Sequence, residues 1–419
     1  MTNPDLIQKN YENARSTYRS YGVDTELVLE KFCEIPLSMH CWQGDDIRGF
    51  EQVTAPSENV VTGNYPGAAR NGDELRMDIE TVFSMVPSRN RVSLHTIYGE
   101  PKCPRERCDY TPEDFRRWID WAKKLGIGLD YNPTFFAHSM MKGGFSLASP
   151  DKNVRDYWVK VGKGSREIAA AFGHELGTPT WNDLWVPDGM KDLPANRLLY
   201  REYLKESLDR IYEQSYSAEE LIDVVEGKLF GIGIESYTVG SHDFYLAYAL
   251  KNNLGVCMDI GHYHPTESVA DKLTAVGPFV KHILLHVTRG VRWDSDHVVI
   301  RSDELDSVMS EIKRAGYFGK VGIGLDFFDA SINRIAAWVI GMRATGRSLL
   351  NALLEPTHLI RAAEADGDYT SRLALMEEFK NLPANAVWDM LCYRQGVPVG
   401  TAWIANMKQY EDLILSRRK

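Results

Sequence analysis

The sequence has few cysteines, no long run of lysines or arginines, and no apolar stretch long enough to span a bilayer. Its six cysteines, at positions 33, 41, 103, 108, 257 and 392, are sparse and irregularly spaced for 419 residues. That pattern excludes a disulfide framework and fits a reducing compartment, so a cytoplasmic location is expected. Cys103 and Cys108 have the spacing of half a zinc site, but no second Cys/His pair of suitable spacing follows. The stretch from Met1 to Asn10 lacks the apolar core of a signal peptide. With no basic stripe and a formal net charge of −10, neither nucleic acid nor an acidic membrane surface is expected as a partner. Internal repeats and low-complexity segments are also missing. What remains is globular in balance, with 44% hydrophobic and 25% charged residues, so long-range disorder is not expected. The length suits one large α/β barrel with an extension, or two medium domains.

Short β-rich apolar runs alternate with longer amphipathic stretches, which is the pattern of βαβ units. Eight strands are predicted: Pro36 to Trp42, Val92 to Tyr98, Ile127 to Asn132, Asn182 to Val186, Asp223 to Phe230, Val256 to Asp259, His282 to Val287 and Val321 to Phe327. Helical patterns such as Pro112 to Lys124 and Pro194 to Gln214 lie between them. Eight strands with crossover helices point to a closed (β/α)₈ TIM barrel rather than an open sheet. About fifty residues separate the first two strands, including the turn-rich Thr62-Gly-Asn-Tyr-Pro-Gly67, and a connection that long implies a helix plus lid or a subunit contact. After the eighth strand the chain reads as helical, with Ser331 as the expected N-cap of a helix through Ile332, Ile335, Ala336, Val339 and Ile340. Further helices are expected over Tyr369 to Asn381, Ala384 to Gln395 and Trp403 to Arg417. The expected division is a barrel with an N-terminal helix over residues 1–345 and a helical C-terminal extension over 346–419.

In such a barrel the working residues sit at the C-terminal ends of the strands. There the sequence concentrates metal-type ligands: Glu226 with Lys228, Asp259 with His262, His286, Asp294 with Asp296, and Asp326. Residues two apart on an extended segment share a face, so Glu226 and Lys228 should point together, as should Asp294 and Asp296. Asp259 and His262 have opposite parity, and Gly261 is expected to allow the bend that reunites them. Five carboxylates less one ammonium leave four net negative charges. Crowded together without a counter-charge they would take up protons, whereas two divalent cations neutralise them. Oxygen-rich ligands with one imidazole per ion suit Mn²⁺, Mg²⁺, Co²⁺ or Zn²⁺.

Bland readings compete with each of these. Glu226 and Lys228 could form a surface ion pair, His286 could be a satisfied core histidine, and Asp294 and Asp296 could cap the next helix. Asp326 ends an apolar strand, where an unpaired carboxylate is costly, and that favours a ligand role. His264 and His297 are neighbours without a clear role. His95 and Trp185 lie on buried-type strands and could be core, or could supply an imidazole and an aromatic wall to a sugar.

The strings Phe230-Gly-Ile-Gly-Ile-Glu-Ser-Tyr-Thr-Val-Gly240, Arg292-Trp-Asp-Ser-Asp-His-Val-Val299 and Leu325-Asp-Phe-Phe-Asp-Ala-Ser-Ile-Asn-Arg-Ile-Ala-Ala-Trp338 resemble the L-rhamnose isomerase family, as do Ser38-Met-His-Cys-Trp-Gln-Gly-Asp-Asp46 and Trp185-Val-Pro-Asp-Gly-Met-Lys-Asp192. The resemblance runs nearly end to end. It implies a catalytic metal on His262, Asp294 and Asp296 with Asp259 bridging, and a structural metal on Glu226, Asp259, His286 and Asp326. It also places Lys228 beside the reacting carbonyl, His95 near the ring oxygen and Trp185 against the sugar, with Asp326 carried among the catalytic residues as well. Mn²⁺ is the expected cofactor, two ions per subunit, and the family resembles xylose isomerase in architecture and usually forms homotetramers. The implied reaction interconverts L-rhamnose and L-rhamnulose by a metal-assisted 1,2-hydride shift. The competing classes are an isomerase of another aldose, a two-metal barrel hydrolase of endonuclease type, which should carry a basic groove, and a catalytically dead sugar-binding scaffold, which would not need seven ligands.

Overall fold

A computed structural model describes residues 3–51, 65–231, 233–291 and 293–418, apart from the side chains of 293–295. Eight parallel strands run in chain order around the molecule: β1 Pro36–His40, β2 Arg89–His95, β3 Gly128–Asn132, β4 Thr180–Trp185, β5 Leu221–Glu226, β6 Gly255–Asp259, β7 Ile283–Val287 and β8 Val321–Leu325. Strand β8 pairs back onto β1, with Leu37 opposite Ile323, so the sheet closes into a TIM barrel. All eight predicted strands are present, but several ends differ. The sequence reading starts β2 at Val92, yet the strand begins at Arg89 and includes Arg91. Arg91 is charged and buried because Asp130 on β3 accepts from its guanidinium at 2.7 Å, while Ser38 of β1 donates to the same carboxylate at 2.6 Å. Apolar patterning alone does not place such a pair in a strand interior. Strand β5 stops at Glu226 rather than Phe230. A Cβ on Gly227 would stand 2.8 Å from the backbone of His242, so the chain turns away there against the following helix.

The connecting helices are α3 Gly72–Phe83, α4 Arg116–Leu125, α5 Lys152–Leu176, α6 Arg197–Ile211, α7 His242–Asn252, α8 Val269–Val276 and α9 Asp303–Ala315, preceded by α1 Pro4–Ser20 and α2 Thr25–Glu34. Two helices therefore precede β1, where one is expected. Helix α4 follows a 3₁₀ turn, Pro112–Phe115, closed by the Thr111/Asp114 capping box, and ends at Gly126 with φ +67°. After β8 comes α10, Arg334–Leu354. Its N-cap is Asn333, which accepts from the Ala336 amide at 2.9 Å, and not Ser331, whose hydroxyl bonds Asp329 instead. The expected division at residue 345 falls inside this continuous, largely buried helix. Helices α11 Thr357–Ala365, α12 Tyr369–Glu378, α13 Ala384–Arg394 and α14 Ala402–Leu413 complete the chain. Thr62 to Asn64 of the turn-rich string lie outside the described residues; Tyr65, which follows them, donates to Glu411 on α14 at 2.5 Å.

Two elements at the mouth of the barrel shape the site. A ribbon pairs Arg289–Val291 with Trp293–His297, and the loop after β8 is held to the loop after β1 by Gln43. The Gln43 amide donates to the Asp329 carbonyl at 2.6 Å and accepts from the Asp329 amide at 2.8 Å.

Candidate metal centre

Glu226 ends β5, Asp259 ends β6 and His286 lies on β7, directly across from Asp259 in the β6–β7 register. Gly324 of β8 sits across from His286 and has no side chain to crowd it; a Cβ there would lie 3.3 Å from the imidazole. Asp326 follows one residue after β8. The His286 Nδ1 atom consequently faces three carboxylates, at 3.3 Å from Asp326, 3.4 Å from Glu226 and 3.8 Å from Asp259.

Beyond Asp259 the chain makes a 3₁₀ turn over Ile260–His262, and Asp259 Oδ1 caps it by accepting from the Gly261 amide at 2.6 Å. His262 Nδ1 returns to 2.7 Å from Glu226. The turn therefore brings His262 back to Asp259, though not for the expected reason. Gly261 has an ordinary φ; what requires glycine is space, because a Cβ would meet Thr288 at 2.8 Å, Asp259 at 3.2 Å and Asp296 at 3.3 Å. Asp296 stands on the ribbon at φ +39°, in the left-handed region that costs a non-glycine residue about 1–3 kcal/mol. The Asp296 carbonyl accepts from the Phe328 amide at 2.9 Å, which ties the ribbon to the loop after β8. Strict strand parity consequently does not explain its direction, nor that of Lys228, which lies beyond the end of β5. The side chain of Asp294 lies outside the described residues.

Two ligand groups result. Glu226, Asp259, His286 and Asp326 offer donor atoms within 4.8 Å of one another, and so do Asp259, His262 and Asp296. Asp259 belongs to both. Glu226 Oε1, Asp259 Oδ2 and His286 Nδ1 are buried and make no hydrogen bond among the described residues. Their nearest polar neighbours are one another, His262 and Asp326, and a shared cation would coordinate all three at once. The donor set fits a divalent ion. Protonation tells the same story. Burial disfavours the His262 cation, but the Asp259 and Glu226 carboxylates outweigh it and push the group up to about 10. Burial likewise opposes the His286 cation, yet Cys257 and Glu226 raise its pKa well above the imidazole range. Burial, with the neighbouring carboxylates, raises Asp259 well above the carboxylate range. Protons thus collect where cations would sit.

An aromatic arc borders this cluster. Trp42 meets His95 edge-on at 4.3 Å, His95 meets Phe136 at 5.7 Å, Phe136 meets Trp185 at 5.5 Å, and Trp185 stacks on His262 at 6.4 Å. The Lys228 ammonium stands 5.0 Å from the Trp185 ring centroid. Burial drives the His95 imidazole down to about 3, so it is neutral, and its buried Nδ1 makes no hydrogen bond among the described residues.

The family profile described as L-rhamnose isomerase (RhaA) matches residues 5–418. The chain is 50% identical over 414 residues to an L-rhamnose isomerase of Rhodopirellula baltica, covering 98% of this chain and 97% of that one. It belongs to the L-rhamnose isomerase family. An L-rhamnose isomerase of Salmonella paratyphi B is 49% identical over the same span, 98% of this chain and 99% of its own. A solved L-ribulose 3-epimerase is similar at a TM-score of 0.49 and 12% identity, over 75% of this chain and 95% of that one. As an L-rhamnose isomerase family member the chain is an aldose–ketose isomerase that acts on a small sugar. Among the described residues no helix is long and apolar enough to cross a membrane.

The sequence reading did not single out several residues that the structure brings to this cluster. Asp183 on β4 and Cys257 on β6 join Glu226 and His286 in a third, deeper group with donors within 4.8 Å. Burial, then the Glu226 carboxylate, raises Asp183 well above the carboxylate range. The expected charge balance of the cluster was therefore one carboxyl short. Trp42 and Phe136 were also missed, as was His40, wholly buried against Phe327 with neither ring nitrogen hydrogen-bonded among the described residues. In a parallel barrel both strand faces are covered, so alternation does not separate lumen-facing residues from outward ones. His264 is exposed and bonds Thr266 at 2.7 Å.

Proposed function

We propose that this chain interconverts L-rhamnose and L-rhamnulose by a direct hydride shift between C2 and C1. In this reading one divalent ion is held by Asp259, His262, Asp294 and Asp296, and a second by Glu226, Asp259, His286 and Asp326, with Mn²⁺ the preferred metal. The observation that carries it is the pair of ligand groups sharing Asp259 beside an aromatic arc and one ammonium. Divalent ions held there supply Lewis acidity toward the sugar oxygens.

The chain's own residues do the rest. Trp185 presents a flat apolar face to the sugar, and its ring positions Lys228. The Lys228 ammonium stabilises negative charge that develops on O1 as the carbonyl is reduced. Neutral His95 has one donor and one acceptor nitrogen, so it can donate to the ring oxygen while accepting the anomeric hydroxyl proton, which opens the ring. In the open chain the C2–H bond breaks with its electron pair moving to C1, and the O2 proton passes to O1. A cis-enediol route would need a carboxylate base near C2. Glu226, Asp259, Asp294, Asp296 and Asp326 are assigned as ligands, and Asp183 is buried beside Glu226 with one oxygen held by Asn132 at 3.3 Å.

L-Rhamnose deuterated at C2 tests this directly. In ordinary water the ketose should carry the label at C1, and unlabelled sugar in D₂O should gain almost no carbon-bound deuterium. Washout in the first run matched by incorporation in the second would exclude the hydride shift as the main path. We further propose a cytoplasmic homotetramer. Six free cysteines support the compartment, and light scattering of the native protein, giving four chains per particle, checks the assembly.

A further inference from the structure

The stretch from Cys103 to Cys108, whose spacing is that of half a zinc site, presents an arginine to the barrel mouth. Arg107 opens a short 3₁₀ turn, Arg107–Asp109, between β2 and α4, and is 3% exposed. A guanidinium carries five N–H donors in a planar fork, and Arg107 makes five hydrogen bonds. Nε and Nη2 donate to the two oxygens of Glu51 at 2.9 and 2.7 Å. Nη1 donates to the carbonyls of Thr134 and Phe136, both at 2.7 Å, and Nη2 donates to the Ala137 carbonyl at 3.3 Å. These carbonyls belong to the loop after β3, which carries Phe136 of the aromatic arc. The loop is not relaxed: Thr134 and Ala137 stand at φ +56° and +51°, in the left-handed region that side chains rarely adopt. The two phenylalanines between them go opposite ways. Phe135 is fully buried against Trp158 at 5.8 Å, whereas the half-buried Phe136 turns its ring toward His95 and Trp185.

We propose that Arg107 is a positioning residue for the sugar site: its guanidinium holds the strained loop after β3 and so fixes Phe136 between His95 and Trp185. Three carbonyl dipoles and one carboxylate turn their negative ends toward a single point, and a cation there keeps them together. Without it the oxygens repel one another and stand buried with no donor, and Thr134 and Ala137 are free to leave the left-handed region. Phe136 then withdraws from the wall that meets the sugar. Lysine does not replace the arginine, because three donors radiating from one nitrogen do not span five acceptor atoms. Glu51 extends the same hold to the chain after β1, where the neighbouring Phe50 amide donates to the Ile97 carbonyl at 2.7 Å, just beyond β2. The segments that follow β1, β2 and β3 are thus joined around one side chain. A wall that sugar and transition state meet alike contributes to binding rather than to turnover, so loss of the clasp acts on KM.

This rests on the sugar-facing roles given to His95 and Trp185 above, and the test keeps the two apart. The full-length protein and its variants, loaded with Mn²⁺, are assayed on whichever aldose of a panel the wild type converts. A substrate other than L-rhamnose overturns that reading and leaves this measurement intact, whereas a wild type that converts none defeats both. Arg107→Lys should raise KM by about tenfold or more with kcat within about threefold of wild type, and the Mn²⁺ titration should not move. Arg155 is the control for a merely structural arginine: it is buried and donates to the carbonyls of Ser149 and Pro150, in a loop that carries no residue of the arc. Arg155→Lys should lower the melting temperature and leave KM unchanged. A double-mutant cycle with Phe136→Ala decides the matter. Once that ring is gone, Arg107→Lys should change KM by less than about twofold. Independent, multiplying effects of the two substitutions overturn the proposal, as does a folded Arg107→Lys with wild-type KM or with its loss confined to kcat. If Arg107→Lys does not fold, Glu51→Gln weakens the same clasp and leaves the arginine in place. It should raise KM in the wild-type background and not in Phe136→Ala, and an unchanged KM in the wild-type background overturns the proposal.

Discussion

At Lys228 the consequence of one side chain can be separated from those of its neighbours. Its ammonium stands over Trp185, 5.0 Å from the ring centroid, at the edge of the cluster. A charge that acts on O1 only as negative charge develops affects turnover more than binding. Lys228→Met should lower kcat by roughly a hundredfold or more, the loss seen when one oxyanion donor is removed, and move KM far less. Steady-state kinetics with L-rhamnose check it, and weakened binding at normal kcat would make Lys228 a substrate anchor instead. The two proposed ions part at Asp296 and Asp326. Asp296 stands on the ribbon, outside the barrel strands, so Asp296→Asn should collapse turnover and leave the melting temperature nearly unchanged. Asp326 belongs to a group that joins β5, β6, β7 and the end of β8, so Asp326→Asn should lower the melting temperature as well. Near-normal turnover of Asp296→Asn at saturating Mn²⁺ would remove Asp296 from the catalytic set.

The 3₁₀ turn after β6 is the element on which the ligand groups converge. Gly261 is there because the turn, Thr288 and the ribbon approach within a methyl group's reach. Gly261→Ala overpacks this contact, at a cost of about 1–3 kcal/mol, and the strain falls on Asp259 and Asp296. The Mn²⁺ concentration needed for half-maximal activity should rise at least tenfold, about 1.4 kcal/mol of metal affinity. Gly126 is the control. It has φ +67° and open space around a Cβ, so Gly126→Ala should cost stability alone and leave the Mn²⁺ titration unmoved. Equal metal titrations for both variants would show that Gly261 matters only to the backbone. The same element shows where sequence reading reaches its limit. The Asp259–His262 pairing was legible, but its cause was taken to be backbone freedom, since crowding by Thr288 and Asp296 exists only once β7 and the ribbon are in place.

Across the whole molecule the buried cluster makes folding and metal binding one problem. Glu226, Asp259 and His286 are joined to three different strands, and without ions their charges are met by protons. Thorough chelation should abolish isomerase activity and lower the melting temperature, and Mn²⁺ should restore both. Full activity in demonstrably metal-free protein would defeat the two-ion assignment.

The eight strands, their order and the helices between them were legible because they follow from local patterns: β-rich runs, caps and turn residues that the chain carries wherever it folds. Glu226, Asp259, His262, His286, Asp296 and Asp326, which the structure gathers into two groups of possible metal donors, were singled out as well, since polar residues near the ends of apolar strands need a reason to be there. Strand β2's true start was not, because burying Arg91 makes sense only with Asp130 beside it. Asp183, Cys257, His40, Trp42 and Phe136 were equally hidden. Which residues of a parallel strand face the lumen, and what meets them there, depends on barrel closure and on the register of neighbouring strands, and neither quantity is local to any stretch of sequence.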